Sequence, residues 1–283
     1  MVTDTLNVGM FADRRTRAWT TLVLIGVTFA LLFIAGALVG EEGLATNLLA
    51  RRLKPSWDYL LGTDMLGRDM MTRTLLGLRT SLGVGVAAAL CSALIAGTLG
   101  IVAAVGGRRA DSIVSLTVDL FMSMPHLVLL VLVAFVLGGG AKAVIVAVAI
   151  SHWPRLARII RAEVLQLKEA PYIHIAGKLG ATPMEIARRH MMPHLLAQFV
   201  VGAVLLVPHA ILHAAALTFL GFGLTPHTPS IGMLLSESMR HLSTGYWWLA
   251  IFPGVALVCA VKLFDMAGNE LRLLLSPRLS EGR

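Results

Sequence analysis

Residues 81–106 read SLGVGVAAALCSALIAGTLGIVAAVG, a run of 26 residues without a charged side chain. An α-helix needs about 20 apolar residues to cross the hydrocarbon core of a bilayer. The whole chain of 283 residues is 57% apolar and 14% charged, whereas soluble domains average about 45–50% and about 25%. This composition excludes a disordered chain, a disulfide-rich secreted module and an ordinary cytosolic enzyme, and it indicates an integral membrane protein.

Five further segments on either side of this run are long and apolar enough to be candidate spans. They are 19–39, 113–137, 143–160, 195–222 and 242–261. Pro125 interrupts the segment 113–137, and Pro154 breaks the segment 143–160. The first segment exceeds the apolar region of about 7–15 residues in a signal peptide, so we interpret it as an uncleaved span. We therefore predict an all-α membrane protein with six transmembrane helices.

The distribution of basic residues predicts the orientation. Six crossings put both ends of the chain on one side, whose connections carry 15 Lys and Arg residues against eight on the other side. Because basic residues are enriched on the cytoplasmic side, we predict cytoplasmic tails at 1–18 and 271–283. An external loop with an interfacial helix is expected at 40–80, and a core of five transmembrane helices at 81–270. The net charge of +8 fits this orientation, and no nucleic-acid partner is predicted.

The segment 163–194 is the longest predicted cytoplasmic connection. Pro171 is typical of the first turn of a helix, and Gly180 is typical of a left-handed helix end. Thr182 and Glu185 have the spacing of a capping box that starts another helix. Pro193 is expected to end that helix. The pattern predicts a helical hairpin that projects towards a cytoplasmic partner, and two amphipathic helices lying on lipid headgroups are the alternative.

This hairpin resembles the loop E-A-A-x-x-x-G, followed nine residues later by I-x-L-P, of binding-protein-dependent ABC importer permeases. Gly180 and Pro193 keep the spacing of that pattern, and Ala176 stands at its second alanine. His174 replaces its glutamate. The departure puts in question any contact that the family makes through this carboxylate.

Three other stretches resemble the dipeptide, oligopeptide and nickel branch of these permeases. They are GTDMLGRD at 62–69, FLGFG at 219–223 and GNELR at 268–272. The resemblance implies the type I permease fold of ABC importers, with the hairpin 163–194 as its coupling element. It also implies a multi-pass protein of the bacterial or archaeal cytoplasmic (inner) membrane.

The resemblance further implies a non-catalytic subunit. It would pair with a homologous second permease, two cytoplasmic ATPases and an external substrate-binding protein. ATP and Mg²⁺ would be bound by the ATPases, in keeping with the lack of a P-loop, GxSxG, HExxH or Rossmann motif in this chain. The residues expected to couple the hairpin to an ATPase are His174, Ala176, Leu179, Gly180, Ala181, Glu185 and Pro193.

The stretch GTDMLGRD is polar, punctuated by glycine and close to a predicted span. Its candidate residues are Gly62, Thr63, Asp64, Gly67, Arg68 and Asp69. Asp64 is expected to cap a short interfacial helix that begins near Met65. Arg68 is expected to pair with a nearby carboxylate. A structural role is favoured over contact with substrate.

Ionisable side chains inside predicted spans indicate a substrate pathway, because such groups usually face a cavity or a partner helix. The candidates are Asp119, His126, His209 and His213. Asp119 is expected to pair with the second permease. His209 and His213 stand four residues apart, so they share one helix face and suit a divalent metal ion. Hydrogen bonds to neighbouring carbonyl groups are the structural alternative.

The resemblance links an H-x-x-x-H pair ahead of F-L-G-x-G to nickel-type members, so nickel or a nickel/cobalt chelate is the expected cargo. Dipeptides or oligopeptides are the alternative. A secondary transporter that works alone would need internal repeats, and a membrane enzyme would need converging catalytic groups. Neither is visible in the sequence, and the hairpin argues against a purely structural subunit.

Overall fold

The computed structural model describes residues 2–225 and 228–275, which are almost entirely helical. Residues 276–283 of the predicted C-terminal tail lie outside the described residues. The α-helices of the described residues are α1 (Val2–Leu38), α2 (Met70–Val105), α3 (Gly107–Ser123), α4 (His126–Val136), α5 (Gly140–Lys168), α6 (Pro171–Lys178), α7 (Pro183–Glu185), α8 (Met192–Phe219), α9 (Ile231–Met239) and α10 (Trp248–Leu275). The π-helix Ile186–Met191 joins α7 to α8.

The described residues contain five helical segments that are long and apolar enough to cross a membrane. These are Arg14–Leu38, Met70–Val105, Gly140–Lys168, Ile186–Phe219 and Trp248–Leu275. The helices α3 and α4 meet at an angle of 98°, and they form a sixth crossing if they count as one bent span. The prediction of an all-α membrane protein with six spans is confirmed in this form. The bend lies at Pro125, whose ring disfavours helical geometry in the residue before it.

Two predictions of helix breaks are wrong. The helix α2 begins at Met70, so residues 70–80 belong to the span and do not form a separate interfacial helix. Its cap is Asp69 and not Asp64, because the Asp69 carboxylate accepts a hydrogen bond of 2.8 Å from the backbone N–H of Thr72. The helix α5 continues through Pro154, which is buried inside it. Proline is tolerated in membrane-spanning helices where neighbouring helices support the backbone.

The hairpin forms as predicted at its turn. Gly180 has φ +89°, the left-handed conformation that glycine adopts at low cost. The Thr182 N–H donates to Glu185 Oε2 at 2.8 Å, and the Glu185 N–H donates to Thr182 Oγ1 at 3.3 Å. These two bonds are those of a capping box.

The end of the hairpin differs from the prediction. Pro193 lies in the first turn of α8, and the chain passes from α7 through the π-helix into this span without a break. Proline lacks an N–H group, so Pro193 cannot continue the regular hydrogen bonds, and the turn before it is a π-helix. The second arm of the hairpin therefore continues directly into the span that carries His209 and His213.

Small residues bring α2, α5 and α8 close together at the centre of the molecule. Ala88 and Ala93 of α2 are completely buried. A Cβ atom on Gly85 would lie 2.4 Å from the Ile211 side chain, so α2 and α8 are in contact at this glycine. Such close approach is typical of helix packing in membranes. Buried residues of both α5 and α8 pack with those of α2 in this part of the molecule.

Candidate functional site

A cavity of about 510 Å³ lies between the α3–α4 bend, α5, α8 and the end of α10. Its wall is mostly apolar and includes Phe121, Met122, Met124, Leu156, Ile159 and Leu205. The polar side chains on the wall are Ser151, Gln198, His126, His152, His209, His213, Arg155 and Arg272. A mostly apolar cavity with a few converging polar groups is the usual form of a ligand site.

Three of these histidines meet at one point of the cavity. The ring centroids of His126 and His152 are 4.6 Å apart, those of His126 and His213 are 4.6 Å apart, and those of His152 and His213 are 4.8 Å apart. One nitrogen from each ring lies within 4.8 Å of the others. We call this group the histidine triad. Its members come from three different helices.

Backbone carbonyl groups orient two rings of the triad. His152 Nδ1 lies 3.0 Å from the carbonyl oxygen of Val148, and His213 Nδ1 lies 2.8 Å from that of His209. An N–H at Nδ1 satisfies these contacts, and it leaves the Nε2 lone pair of each ring free. The carbonyl bonds expected as the structural alternative therefore do exist, but they use only one nitrogen of each ring.

The predicted pathway residues are only partly brought together. His126 and His213 belong to the triad, whereas His209 lies on the cavity wall outside it. Asp119 makes an ion pair with Arg158 of the same chain, so the expected pairing with a partner subunit is not needed. The sequence analysis does not single out His152, which lies two residues before the predicted break at Pro154. Its imidazole inside an apolar run was the signal that could have found it.

The stretch 62–69, which we call the outer signature after its predicted side of the membrane, forms an ionic cluster around the buried Asp64 and Arg73. The Asp64 carboxylate accepts hydrogen bonds from Arg68 Nε and Arg73 Nη1, both at 2.6 Å. It also accepts bonds from the backbone N–H groups of Leu66 and Arg68. Arg73 in turn donates to Glu237 at 2.7 Å. The predicted pairing of Arg68 with a carboxylate is thus present, and the cluster ties the outer loop to α2 and α9.

The rest of the signature packs the same loop against α10. The Thr63 side chain is completely buried, and its hydroxyl donates to the Ala50 carbonyl at 2.5 Å. The indole N–H of Trp248 donates to the Thr63 carbonyl at 3.2 Å. Gly62 and Gly67 have φ +75° and +76°. All of these contacts are internal, which agrees with the structural role favoured above.

The hairpin combines a fixed turn with an exposed apolar surface. The Ala181 N–H donates to the Ala176 carbonyl and the Gly180 N–H to the Gly177 carbonyl, both at 3.1 Å, which is the Schellman pattern of a helix end. Leu179 at the turn is 83% exposed and Met184 is 75% exposed. These two large apolar side chains, one before and one after the turn, are therefore the candidates for a contact surface.

Two polar residues of the hairpin have local partners. His174 Nε2 lies 4.0 Å from Glu169 Oε2, and both side chains are mostly exposed. Hydrogen bonds from the backbone N–H and the hydroxyl of Thr182 lower the pKa of Glu185. The Glu185 carboxylate therefore stabilises the turn of the hairpin through its hydrogen bonds with Thr182.

The sequence profile of one protein family matches residues 96–281, about two thirds of the chain. This family is described as the binding-protein-dependent transport system inner membrane component. The chain belongs to this family. It is a permease subunit of an ABC importer, and the matched residues include the hairpin and every residue that lines the cavity.

Two relatives of this permease are similar over most of their length. A Brucella abortus (biovar 1, strain 9-941) protein, provisionally named as a peptide transport system permease, is 35% identical over 270 residues. The match covers 95% of this chain and 90% of that relative. The dipeptide transport system permease protein DppC of Bacillus subtilis (strain 168) is 33% identical over 263 residues, which cover 91% of this chain and 82% of DppC.

Solved structures of importers share the fold of this permease. A chain of the inward-facing MetNI methionine ABC transporter superposes with a TM-score of 0.58 at 24% identity, covering 72% of this chain and 97% of that chain. A chain of an amino acid ABC transporter crystallised with histidines gives a TM-score of 0.57 at 16% identity, covering 71% and 94%. These likenesses confirm the type I permease fold expected from the sequence.

Proposed function

We propose that this permease forms half of the pathway of a peptide importer, together with a homologous second permease. The names of the relatives from Brucella abortus and Bacillus subtilis support a peptide cargo. They favour dipeptides or oligopeptides, the alternative cargo given above, over nickel as the main cargo. The supporting observation in this chain is the cavity, because its apolar wall and few polar groups suit a small organic molecule.

Two ATPase subunits beneath the hairpin would supply the energy. The exposed Leu179 and Met184 offer an apolar contact for an ATPase surface. The unbroken connection from α7 into α8 supports a rigid transfer of motion from this contact to the cavity wall. In this arrangement the hairpin and both ends of the chain face the cytoplasm.

The other partners follow from the same orientation. An external substrate-binding protein would deliver cargo on the side of the outer signature, where the ionic cluster holds the loop rigid. The helix α1 leaves Leu24, Leu31 and Ile34 exposed. These side chains suit lipid or the second permease. No cofactor is needed in this subunit, since ATP and Mg²⁺ would be held by the ATPases.

Uptake of labelled cargo tests the proposal. In cells that lack only this chain, uptake of a labelled dipeptide should fall to background and should return when the chain is supplied again. Uptake of labelled nickel chloride should be the same in both strains. Loss of nickel uptake with full retention of dipeptide uptake would contradict the peptide assignment.

The hairpin contact makes a separate prediction. Leu179→Glu should lower dipeptide uptake at least tenfold, because it places a charge on an apolar docking surface. Leu179→Met is the matched control and should keep uptake close to wild type, because it preserves apolar volume. The amount of permease in the membrane, measured by immunoblotting, should be equal for both variants. Full uptake by Leu179→Glu would remove the turn from the ATPase contact.

A further inference from the structure

We infer that the histidine triad of His126, His152 and His213 binds a divalent transition-metal ion that enters the cavity as a complex with a peptide. This inference rests on the proposed function and names a subclass of its cargo. It differs from the sequence expectation in its protein ligands, because the triad replaces the pair His209 and His213. It also names a peptide as the molecule that carries the metal, which the expected nickel/cobalt chelate left open.

The donor set suits a transition metal. Imidazole is a good ligand for zinc, cobalt, nickel and copper. Three protein ligands with one open position are typical of sites where zinc meets an exchangeable ligand. The triad borders the cavity, so the open position would face the cargo.

The orientation of the rings supports the same conclusion. Metal-binding histidines usually donate their other ring N–H to a carbonyl or carboxylate group, which fixes the ring and its tautomer. The contacts of His152 with Val148 and of His213 with the His209 carbonyl have this form. These contacts use Nδ1, so Nε2 of both rings remains for a metal ion.

The distances require only a small adjustment. A tetrahedral ion with nitrogen ligands at about 2.1 Å places those nitrogens about 3.4 Å apart. The three nitrogens of the triad now lie within 4.8 Å of one another. Each ring is partly exposed and lines the cavity. Side-chain rotations that move each nitrogen by about an ångström can therefore bring the three nitrogens to metal-binding distances.

The charged residues of the cavity wall favour a metal–peptide complex over a free divalent cation. Among the described residues that line the cavity none is acidic, whereas Arg155 and Arg272 are both present. A bare divalent cation would meet two guanidinium groups without a carboxylate to balance its charge. A metal bound by a peptide brings its own carboxylate, which can pair with an arginine while the metal meets the triad.

Metal binding by the reconstituted importer tests the inference. The permease is assembled with its second permease and ATPases in lipid nanodiscs and mixed with Co²⁺ and an equimolar amount of a histidine-containing dipeptide. Cobalt retained after gel filtration is measured by elemental analysis, and its ligand field is measured by visible absorption. Wild type should retain about one cobalt ion per triad, and Co²⁺ without the peptide should be retained at least tenfold more weakly.

Single substitutions identify the ligands. His126→Ala, His152→Ala and His213→Ala should each weaken cobalt retention at least tenfold, and His213→Gln should do the same while keeping a polar side chain of similar size. His194→Ala is the matched control on the same continuous helix as His213. It lies outside the cavity and should retain cobalt like wild type. Equal retention by wild type and by His213→Gln would overturn the inference.

Uptake by the same preparation separates this inference from the proposed function. If wild type retains no cobalt but transports metal-free dipeptide, the metal site is wrong and the peptide importer stands. If wild type transports no dipeptide with or without cobalt, the proposed function fails. Cobalt-dependent dipeptide uptake that His152→Ala abolishes would support both.

Discussion

An Asp64→Asn variant is expected to accumulate in the membrane at a small fraction of the wild-type level. Asp64 and Arg73 are each 5% exposed at their side chains, and their closest atoms are 2.6 Å apart. Removing one partner of a buried ion pair costs about 3–5 kcal/mol, and Arg73 would keep only its ion pair with Glu237, whose side chain is 38% exposed. This cost is a large part of the stability of an ordinary domain.

Asparagine isolates the effect of the charge at this position, because its shape is nearly the same as that of aspartate. Its carbonyl oxygen can still accept from the backbone N–H groups of Leu66 and Arg68. Its amide nitrogen would then face the guanidinium groups of Arg68 and Arg73, which are donors only. The variant therefore loses two charge-assisted hydrogen bonds without creating a cavity.

Thermal aggregation in detergent measures the loss. The temperature at which half of the solubilised subunit aggregates should fall by roughly 10 °C in Asp64→Asn, given the usual relation between stability and melting temperature. Asp58→Asn is the control, because Asp58 lies in the same outer loop but is exposed. It should aggregate at the wild-type temperature. Equal behaviour of the two variants would mean that the cluster contributes nothing to stability.

The local features of this chain are predictable because they depend on neighbouring residues. The left-handed Gly180 and the capping box of Thr182 and Glu185 are set by residues within one helical turn of each other. The apolar runs likewise predict spans from composition alone. These short-range signals are sufficient to locate the hairpin and most of the helices.

The features that sequence reasoning missed depend on contacts between distant segments. The triad joins three helices, and the Arg73–Glu237 pair joins residues 164 positions apart. No pattern within a short window encodes such contacts. The expected break at Pro154 also failed for this reason, because packing against α2 supports α5 where local propensity disfavours it.

A Gly67→Ala variant is expected to be as defective as Asp64→Asn, for a steric reason. A Cβ atom on Gly67 would lie 1.7 Å from the carbonyl oxygen of Asn47 and 2.7 Å from its carbonyl carbon. Real Cβ contacts are not that short, so one backbone segment must move. Both segments are held, since the Asn47 N–H donates to the Leu66 carbonyl at 3.0 Å and the Gly67 N–H donates to the Asp64 carbonyl at 3.1 Å.

The same movement would disturb the ionic cluster, because Gly67 lies between Asp64 and Arg68. We expect Gly67→Ala to lower the aggregation temperature by roughly 10 °C and to reduce the amount of permease in the membrane severalfold. The left-handed conformation alone costs an alanine only about 1–2 kcal/mol. Most of the expected loss therefore comes from the contact with Asn47.

Gly138→Ala separates these two causes. Gly138 has φ +78°, nearly that of Gly67 at +76°, but a Cβ atom there would meet nothing within 4 Å. This control should lower the aggregation temperature by only a few degrees, as expected from the conformational cost alone. A Gly67→Ala variant as stable as Gly138→Ala would show that the outer loop can move away from Asn47. The Asp64 cluster would then not depend on a fixed position of the loop at Gly67.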